Sequence, residues 1–510
     1  MIRVNNIHLS LDYDDKSVRK AVAQQLRIEE KSIKSCKIFR RSVDARKKDN
    51  IYFLTTADAE LNINEDKVCK KCGNAQIARK YEYNQMKFGN APSPIVVGAG
   101  PAGLFAALIL ARSGAKPILI ERGRDVDRRT ADVNRFWTSG QLDTTSNVQF
   151  GEGGAGTFSD GKLNSGTKDI RQRKVLEEFV SHGAPDEILY NAKPHIGTDM
   201  LKGTIKNIRN EIIELGGRVM FETKLVSMAF SDNKLKSITF ETKNGNEIIE
   251  TDNVILAIGH SARDTFEMLY DLKLPIEAKP FSVGARIEHL RQKVDKAQYG
   301  RFAGNKKLGS ANYKLSTHLD NGRGVYTFCM CPGGKVVNAS SEENRLCTNG
   351  MSEFARDAEN SNSALLVGIN PDDYESDHPL AGMYLQRKLE SKAFVAGGEN
   401  YNAPIQRVDD FLNNRKSTHL GDVKPSIGPN YEFSNLNEIL PEYVCTSMAQ
   451  GIVKMGRMLH GFDDGDAVLT GVESRSSSPV RIMRKTDTLE SVLIEGLYPC
   501  GEGAGYAGGI

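Results

Sequence analysis

The sequence predicts an α/β protein: a Rossmann-like domain carrying an inserted mixed α+β domain, preceded by a small N-terminal α+β module. Three observations predict it. A glycine-rich turn joins a short apolar run to a helix-forming run near Ile95. Helical and strand-like patterns alternate from there to about His260. The 510 residues exceed what one ordinary core holds, so two or three domains are expected. The boundaries fall at 1–92 for the module, 93–277 for the first part of the Rossmann-like domain, 278–474 for the insertion, read as a substrate domain, and 475–510 for the return to the first domain.

In the module, Met1–Leu11 alternates as a strand, Asp14 or Asp15 can cap a helix over Ser17–Leu26, and Cys36–Arg41 with Asn50–Thr55 read as a hairpin. This gives β-α-β-β. Residues 1–90 hold 19 Lys+Arg against 12 Asp+Glu, a net +7, while the whole chain carries +3, so the remainder is −4. The basic cluster Lys34, Lys37, Arg40, Arg41, Arg46, Lys47 and Lys48 is either a solvated hairpin surface or a contact for an anionic partner such as nucleic acid. Cys69 and Cys72 have zinc-knuckle spacing, but no second pair or nearby histidine completes four ligands, so no metal is expected. The segment Gly89–Pro94 reads as a linker.

The net charge is too small for a whole-protein field that captures nucleic acid. No apolar run approaches the roughly 20 residues of a membrane span, and the first residues lack a secretory pattern. Eight irregularly spaced cysteines suit a reducing cytoplasm better than a disulfide framework.

The strongest motif follows the linker. Ile95–Val97 is a buried strand, Gly98, Ala99, Gly100, Pro101, Ala102 and Gly103 form the turn, Leu104–Arg112 is a helix stopped by Gly114, and Pro117–Ile120 is the next strand, with Glu121 and Arg122 at its end. Gly98 permits the tight turn, Gly100 lets a pyrophosphate approach the backbone, and Gly103 lets helix and strand pack closely. The helix N-terminus offers free N–H groups to phosphates, and Glu121 can accept hydrogen bonds from a ribose. The same regular expression also fits 151–156 and 503–508, but only 98–121 has the complete strand–turn–helix–strand–acid context. Beyond it, Leu201–Leu215 reads as a helix ended by Gly216-Gly217. Val219–Phe221, Leu225–Phe230 and Leu235–Glu241 read as strands, with an Asn244-Gly245 turn before Glu247–Glu250.

The fingerprint alone does not separate FAD from NAD. The run Glu495–Gly505 reads as a strand entering a second glycine-rich turn with an embedded acid, and it resembles the second FAD motif of the glutathione-reductase-like flavoproteins. That resemblance implies that Glu502 binds a ribitol hydroxyl and that Gly501, Gly503 and Ala504 line the flavin. Thr251–Gly259 resembles the strand that brings the chain back beside the cofactor in the same superfamily, with Ile258 where threonine is usual and Gly259 at its end. Together they predict an FAD-binding Rossmann-like domain.

The run Gln149–Lys162 holds five glycines in eleven residues, and the resemblance implies that it packs near the isoalloxazine. Gly154, Gly156 and Ser159 are its candidate cofactor contacts, with Asp160 as a further polar group. Lys162 is either a cation that stabilises reduced flavin or a solvated loop residue. His260, after the strand end at Gly259, either donates a proton during turnover or only orders its loop. Cys329 and Cys331 share a face if their strand is regular, and are either a flavin-linked redox pair or small packed hydrophobes. Arg286, Arg475 and Arg481 are candidates for holding an anionic substrate, with a structural salt bridge as the alternative for each.

The stretches FGEGGAGTFSDGKLNSG, AIGHSARDTF, YTFCMCPGGKVVNASSE and SRSSSPVRI resemble the bacterial FAD-dependent dehydrogenases described as NAD(FAD)-utilising, over most of residues 95–510. The resemblance implies FAD binding and hydride transfer through the flavin, with NAD(P)H as a candidate transient donor and an undefined small-molecule substrate. The alternative is a flavin-containing RNA-modifying or RNA- or protein-binding protein that uses the basic module. Because the second FAD motif should lead into a helix, the chain is expected to be part of a longer polypeptide.

Overall fold

The computed structural model describes residues 1–79, 81–89, 93–164 and 169–506. The expected helix beyond Gly505 and part of the Gly89–Pro94 linker lie outside them. Strand β1 (Ile2–Leu9), helix α1 (Asp15–Leu26), strands β2 (Ile33–Asp44) and β3 (Tyr52–Leu61), helix α2 (Glu65–Lys71) and strand β4 (Ala75–Ile77) form a sheet in the order β2-β3-β1-β4. This is the split β-α-β, ferredoxin-like topology. Asp14 caps α1 by accepting the Ser17 N–H at 2.8 Å. The expected β-α-β-β pattern is therefore corrected by one more helix and strand. Both are too short for a periodic signal, and α2 is marked mainly by its Asn64 cap. Cys72 donates its thiol to the Gln25 carbonyl, and Cys69 packs against the module core. Among the described residues no group of three or more His, Cys, Asp or Glu is placed to hold a metal.

A five-stranded parallel sheet forms the next unit. It comprises β5 (Ile95–Val97), β6 (Ile118–Ile120), β7 (Arg218–Met220), a later strand at Val254–Leu256 and the terminal strand Leu497–Pro499, in the order terminal, 254–256, β5, β6, β7. Ile95–Val97 is buried throughout, as parallel strands covered on both faces are. Helix α3 (Pro101–Arg112) starts on Pro101, whose missing N–H is no loss at a helix N-terminus. Helices α4 (Val126–Ser139), α5 (Gln172–Ser181) and α6 (Thr198–Glu214) follow, and an antiparallel meander over Lys224–Ser231, Lys234–Thr242 and Gly245–Glu250 leads back to the central strand.

Residues 281–473 build a seven-stranded sheet in the order 316–318, 324–331, 360–369, 281–290, 468–473, 403–407, 431–433. Its two long central strands, Phe281–Leu290 and Asn360–Ile369, are almost wholly buried. Buried polar residues such as Arg286, Glu288, Asn360 and Asn362 interrupt the apolar runs of these strands. Helices Ala381–Ala396 and Glu442–Gly456 pack against this sheet, and a hairpin of Lys335–Asn338 with Thr348–Met351 lies beside it. Among the described residues no helix is long and apolar enough to cross a membrane.

Candidate functional site

Parallel pairing sets the carboxyl ends of four strands side by side, where α/β sheets place ligands. From them emerge the turn 98–103, Glu121, the pair Gly259-His260 and the turn Gly501–Ala504. A Cβ at Gly98 would run into the Ala257 carbonyl, and one at Gly103 into the Gly98 carbonyl, so strand and helix are in backbone contact there. At Gly100 a Cβ would meet only the Gly154 Cα at 3.9 Å, and at Gly259 nothing within 4 Å. These two positions face open space. A Cβ on Gly501 would stand 3.1 Å from the Ala102 Cβ, and one on Gly503 3.2 Å from the Gly259 oxygen, so the first and last glycine-rich turns pack side by side at the strand ends.

Glu121 is buried and ties three backbone segments together. Its Oε2 accepts the Ala99 N–H at 2.8 Å, and its Oε1 accepts the N–H groups of Gly123 at 2.9 Å and Gly151 at 3.0 Å. A carboxylate has about four lone-pair sites, so a ribose would share an acceptor already occupied by the turn. Arg122 bonds Asp264 at 2.9 Å and Thr265 at 2.7 Å and lies 4.5 Å over the Phe150 ring. A cavity of about 580 Å³ opens beside it, lined by Phe150, Lys224, Ser261, Arg263, Asp264 and Glu342 among others. Burial raises the Asp264 pKa, but Arg122 and Lys224 outweigh it and pull it down to about 2.

The glycine-rich run is held by a residue that the sequence reading missed. Arg129, fully buried on α4, donates to the carbonyls of Asn147, Val148, Gly151 and Glu152 at 2.8, 3.0, 3.3 and 2.6 Å. Burial brings its pKa down to about 10, against the opposing pull of Glu121 and Glu152. Glu152, also buried, accepts the Val126 N–H at 2.7 Å and Arg209 at 3.0 Å. The Gly153 N–H donates to the Ala99 carbonyl at 2.8 Å, which docks the run on the fingerprint turn. Ser159 turns inward to the Gly156 carbonyl at 2.9 Å. A helix such as VDRRTADVNRF reads as ordinary surface charge, so nothing local marks Arg129.

Lys162 stands 3.3 Å from Asp160 and 3.8 Å from the Cys331 sulfur. Burial disfavours its charge, but Cys331 and Asp160 more than offset that, so its pKa lies above the ordinary lysine value. Asp160 is also bonded by Ser352 and Arg356. The expected shared face for Cys329 and Cys331 is corrected. A bulge between Phe328 and Cys331, with left-handed backbone at Cys329 (φ 41°), breaks the alternation. Cys329 is exposed and Cys331 buried.

His260 Nδ1 lies 2.7 Å from Glu502 Oε2, joining two motifs 242 residues apart. Its Nε2 is buried without a partner among the described residues. Burial raises the Glu502 pKa, but the facing His260 and nearby Lys279 outweigh it and hold the carboxyl below its ordinary range. Ser261 donates to Gln149 at 2.9 Å, joining this loop to the glycine-rich run.

The three arginines separate. Arg286 is fully buried and bidentate to Glu473, with further bonds to Asn349, Asn362 and the Cys329 carbonyl. Arg475 bonds Glu390 and Ser341 inside the protein. For both, the geometry is that of the structural alternative, since their donors are committed to internal partners. Arg481 is exposed, pairs with Glu277 at 2.8 Å, and flanks Gly505 at the last turn.

The fit to a dinucleotide cofactor is seen in the open glycine cradle at Gly100 and Gly259 and in the unpartnered buried nitrogen of His260. Comparisons with known proteins agree. Residues 93–132 match a family model described as an FAD binding domain, 280–476 match one described as FAD-dependent protein, C-terminal domain-like, and 1–60 match a domain of unknown function. An uncharacterized protein of Clostridium beijerinckii is 48% identical over 515 residues, covering 100% of this chain and 96% of its own. The structure of CmlS, a flavin-dependent halogenase, covers 82% of this chain and 54% of its own at 13% identity and TM-score 0.36. The L-amino acid deaminase from Proteus vulgaris covers 82% and 90% at 11% identity and TM-score 0.30. Such low scores carry no argument about chemistry. The chain binds FAD through domains that match FAD-dependent family models, and it belongs to the same family as the Clostridium beijerinckii protein.

Proposed function

We propose that this protein is an FAD-dependent oxidoreductase of the NAD(FAD)-utilising dehydrogenase type, with NAD(P)H as electron donor and a small molecule as substrate. The observation that carries the reading is the meeting of the turn 98–103, Glu121, His260 and Gly501–Ala504 at neighbouring strand ends. Bound there, FAD supplies hydride and electron transfer. The chain's own residues do the rest. Gly100 and the N-terminus of α3 receive the pyrophosphate, Glu121 and Arg122 hold the adenosine side, and Gly154, Gly156 and Ser159 belong to the run that covers the cofactor. The cavity beside Arg122 has room for part of the nucleotide.

Glu502 accepts a ribitol hydroxyl and at the same time fixes the His260 ring through Nδ1. With Nδ1–H pointing at the carboxylate, Nε2 is free to take a proton from the substrate or return one. Lys162, kept charged by Asp160, places a cation beside Cys331 and favours negative charge that develops on a neighbouring group.

Purified protein tests this directly. It is expected to be yellow, to release FAD rather than FMN on denaturation, and to bleach with anaerobic NADH or NADPH. A preparation that stays colourless after soaking with FAD sinks the proposal. One that binds FAD but ignores both nicotinamides removes only the donor.

A further inference from the structure

The N-terminal sheet has a face that the flavin site does not use. Helices α1 and α2 cover one side of it, where Ile2, Val4, Ile7, Phe53, Ala57 and Ala59 are buried. Register fixes what the other side carries. Arg3 pairs across from Asp58 and His8 from Leu54, while on β2 Lys37 pairs across from Asp58 and Arg40 from Thr56. This face therefore presents Arg3, Asn5, His8, Lys37, Arg40, Tyr52, Leu54 and Thr56.

One open ring pair stands on it. The rings of exposed His8 and half-buried Tyr52 stack at 4.4 Å and 20°. Phe39, at the β2 bulge, is already covered by the Arg3 guanidinium at 3.2 Å, with Arg173 6.0 Å from its ring. Asn5 and Thr56 on the same face are hydrogen-bonded to each other at 3.2 Å.

The charge around this ring pair is one-sided. The acids of the face are already engaged: Asp58 by Arg3, Asp44 by Arg46, and Glu60 by Ser35. Among the described residues, exposed Lys34, Lys37, Arg40, Lys47 and Lys48 have no ion-pair partner. They run along the edge strand and into the turn beyond it. Between Arg40 and the Lys47–Lys48 turn the edge is taken up by the chain itself, because the Arg41 N–H donates to the Tyr190 carbonyl and its carbonyl accepts the Ala192 N–H.

We infer that this face binds single-stranded RNA. Unpaired cations along one edge suit a phosphate backbone. The exposed His8–Tyr52 ring pair on a four-stranded sheet suits an unstacked base, and the polar Asn5–Thr56 pair on the same face suits a 2′-hydroxyl. A structured protein partner explains the charge but not the exposed ring pair beside it. The inference is independent of the oxidoreductase reading.

The test is fluorescence anisotropy with a labelled oligouridine 20-mer and the full-length flavin-loaded protein at low salt. Binding is expected, with log affinity falling against log salt at about −0.7 per phosphate neutralised. The triple variant K34E/K37E/R40E is expected to weaken binding by about tenfold or more, and Y52A with H8A by about fivefold or more. The far-UV circular dichroism and thermal unfolding of both variants should be unchanged, which separates loss of binding from loss of folding. Single-stranded DNA of the same length should bind less tightly. Three results overturn the inference: no binding at low salt, binding indifferent to Y52A with H8A, or equal competition by double-stranded DNA, which would mark a non-specific polyanion surface.

Discussion

The His260–Glu502 pair shows how one hydrogen bond can serve two tasks. The carboxylate orients the ring and, in the function proposed above, would also hold a hydroxyl of the cofactor. Removing its charge should affect both. Glu502→Gln is expected to raise the FAD dissociation constant about 10–100-fold, the range of a charge-assisted hydrogen bond worth about 1.5–3 kcal/mol. Flavin fluorescence on titration measures it, and an unchanged constant would remove Glu502 from the cofactor contacts. The pH dependence has a defined sign. Because the folded pKa of Glu502 is depressed, its contribution to stability is fully present above the ordinary carboxylate pKa of about 4.3. It is lost only as pH falls through the lower folded value. Acid release of flavin should therefore begin below the ordinary carboxylate range in the unmodified protein. This pH-linked component should be missing from Glu502→Gln. Other residues were harder to read. In sequence, Arg286 and Arg475 stand equally for substrate ligands and for structural ion pairs, because an internal ion pair and a bound carboxylate use the same guanidinium geometry. Only the positions of Glu473 and Glu390 separate the two cases.

At the scale of elements, the binding turn depends on a helix pressed against a strand. A methyl at Gly103 would overlap the Gly98 carbonyl, so Gly103→Ala should push α3 away from the turn that receives the phosphates. The expected result is a flavin-to-protein ratio at least tenfold lower, with far-UV circular dichroism nearly unchanged. A yellow Gly103→Ala protein would show that the close approach is dispensable. This element was legible in sequence because its parts lie within 24 consecutive residues, Gly98 to Glu121, and each has a local cause. Helix α2 and strand β4 were not legible, since seven and three residues give periodicity too little length. The Cys329–Cys331 strand misled for another reason: a bulge shifts its register, and alternation carries no sign of it.

At the scale of the molecule, a buried charge cluster joins the nucleotide-binding sheet to the large antiparallel one. Glu390, fully buried on the helix Ala381–Ala396, takes two hydrogen bonds from Arg263 and two from Arg475. Arg263 follows the His260 loop, and Arg475 follows the strand Val468–Glu473. Glu342 adds bonds to Arg263 and Arg387. Burial opposes ionisation of Glu390, but the two arginines outweigh it and hold its pKa far below the ordinary value. Glu390→Gln should leave two buried arginines undercompensated and destabilise the protein by about 3–5 kcal/mol. Thermal unfolding followed by flavin fluorescence should show a clear drop in Tm, and an unchanged Tm would dismiss the cluster as the joint.

The sequence by itself determined the parallel nucleotide-binding core and its two glycine-rich turns. Their requirements are local: a tight turn, a bare backbone, and an acid at a strand end are written in neighbouring residues. Tertiary structure alone decided that Glu502 meets His260, that Arg129 clamps the glycine-rich run, and that Arg286 belongs to Glu473. Those pairings join residues far apart in the chain. The contact energy that selects them exists only once the sheet order has brought the strand ends together.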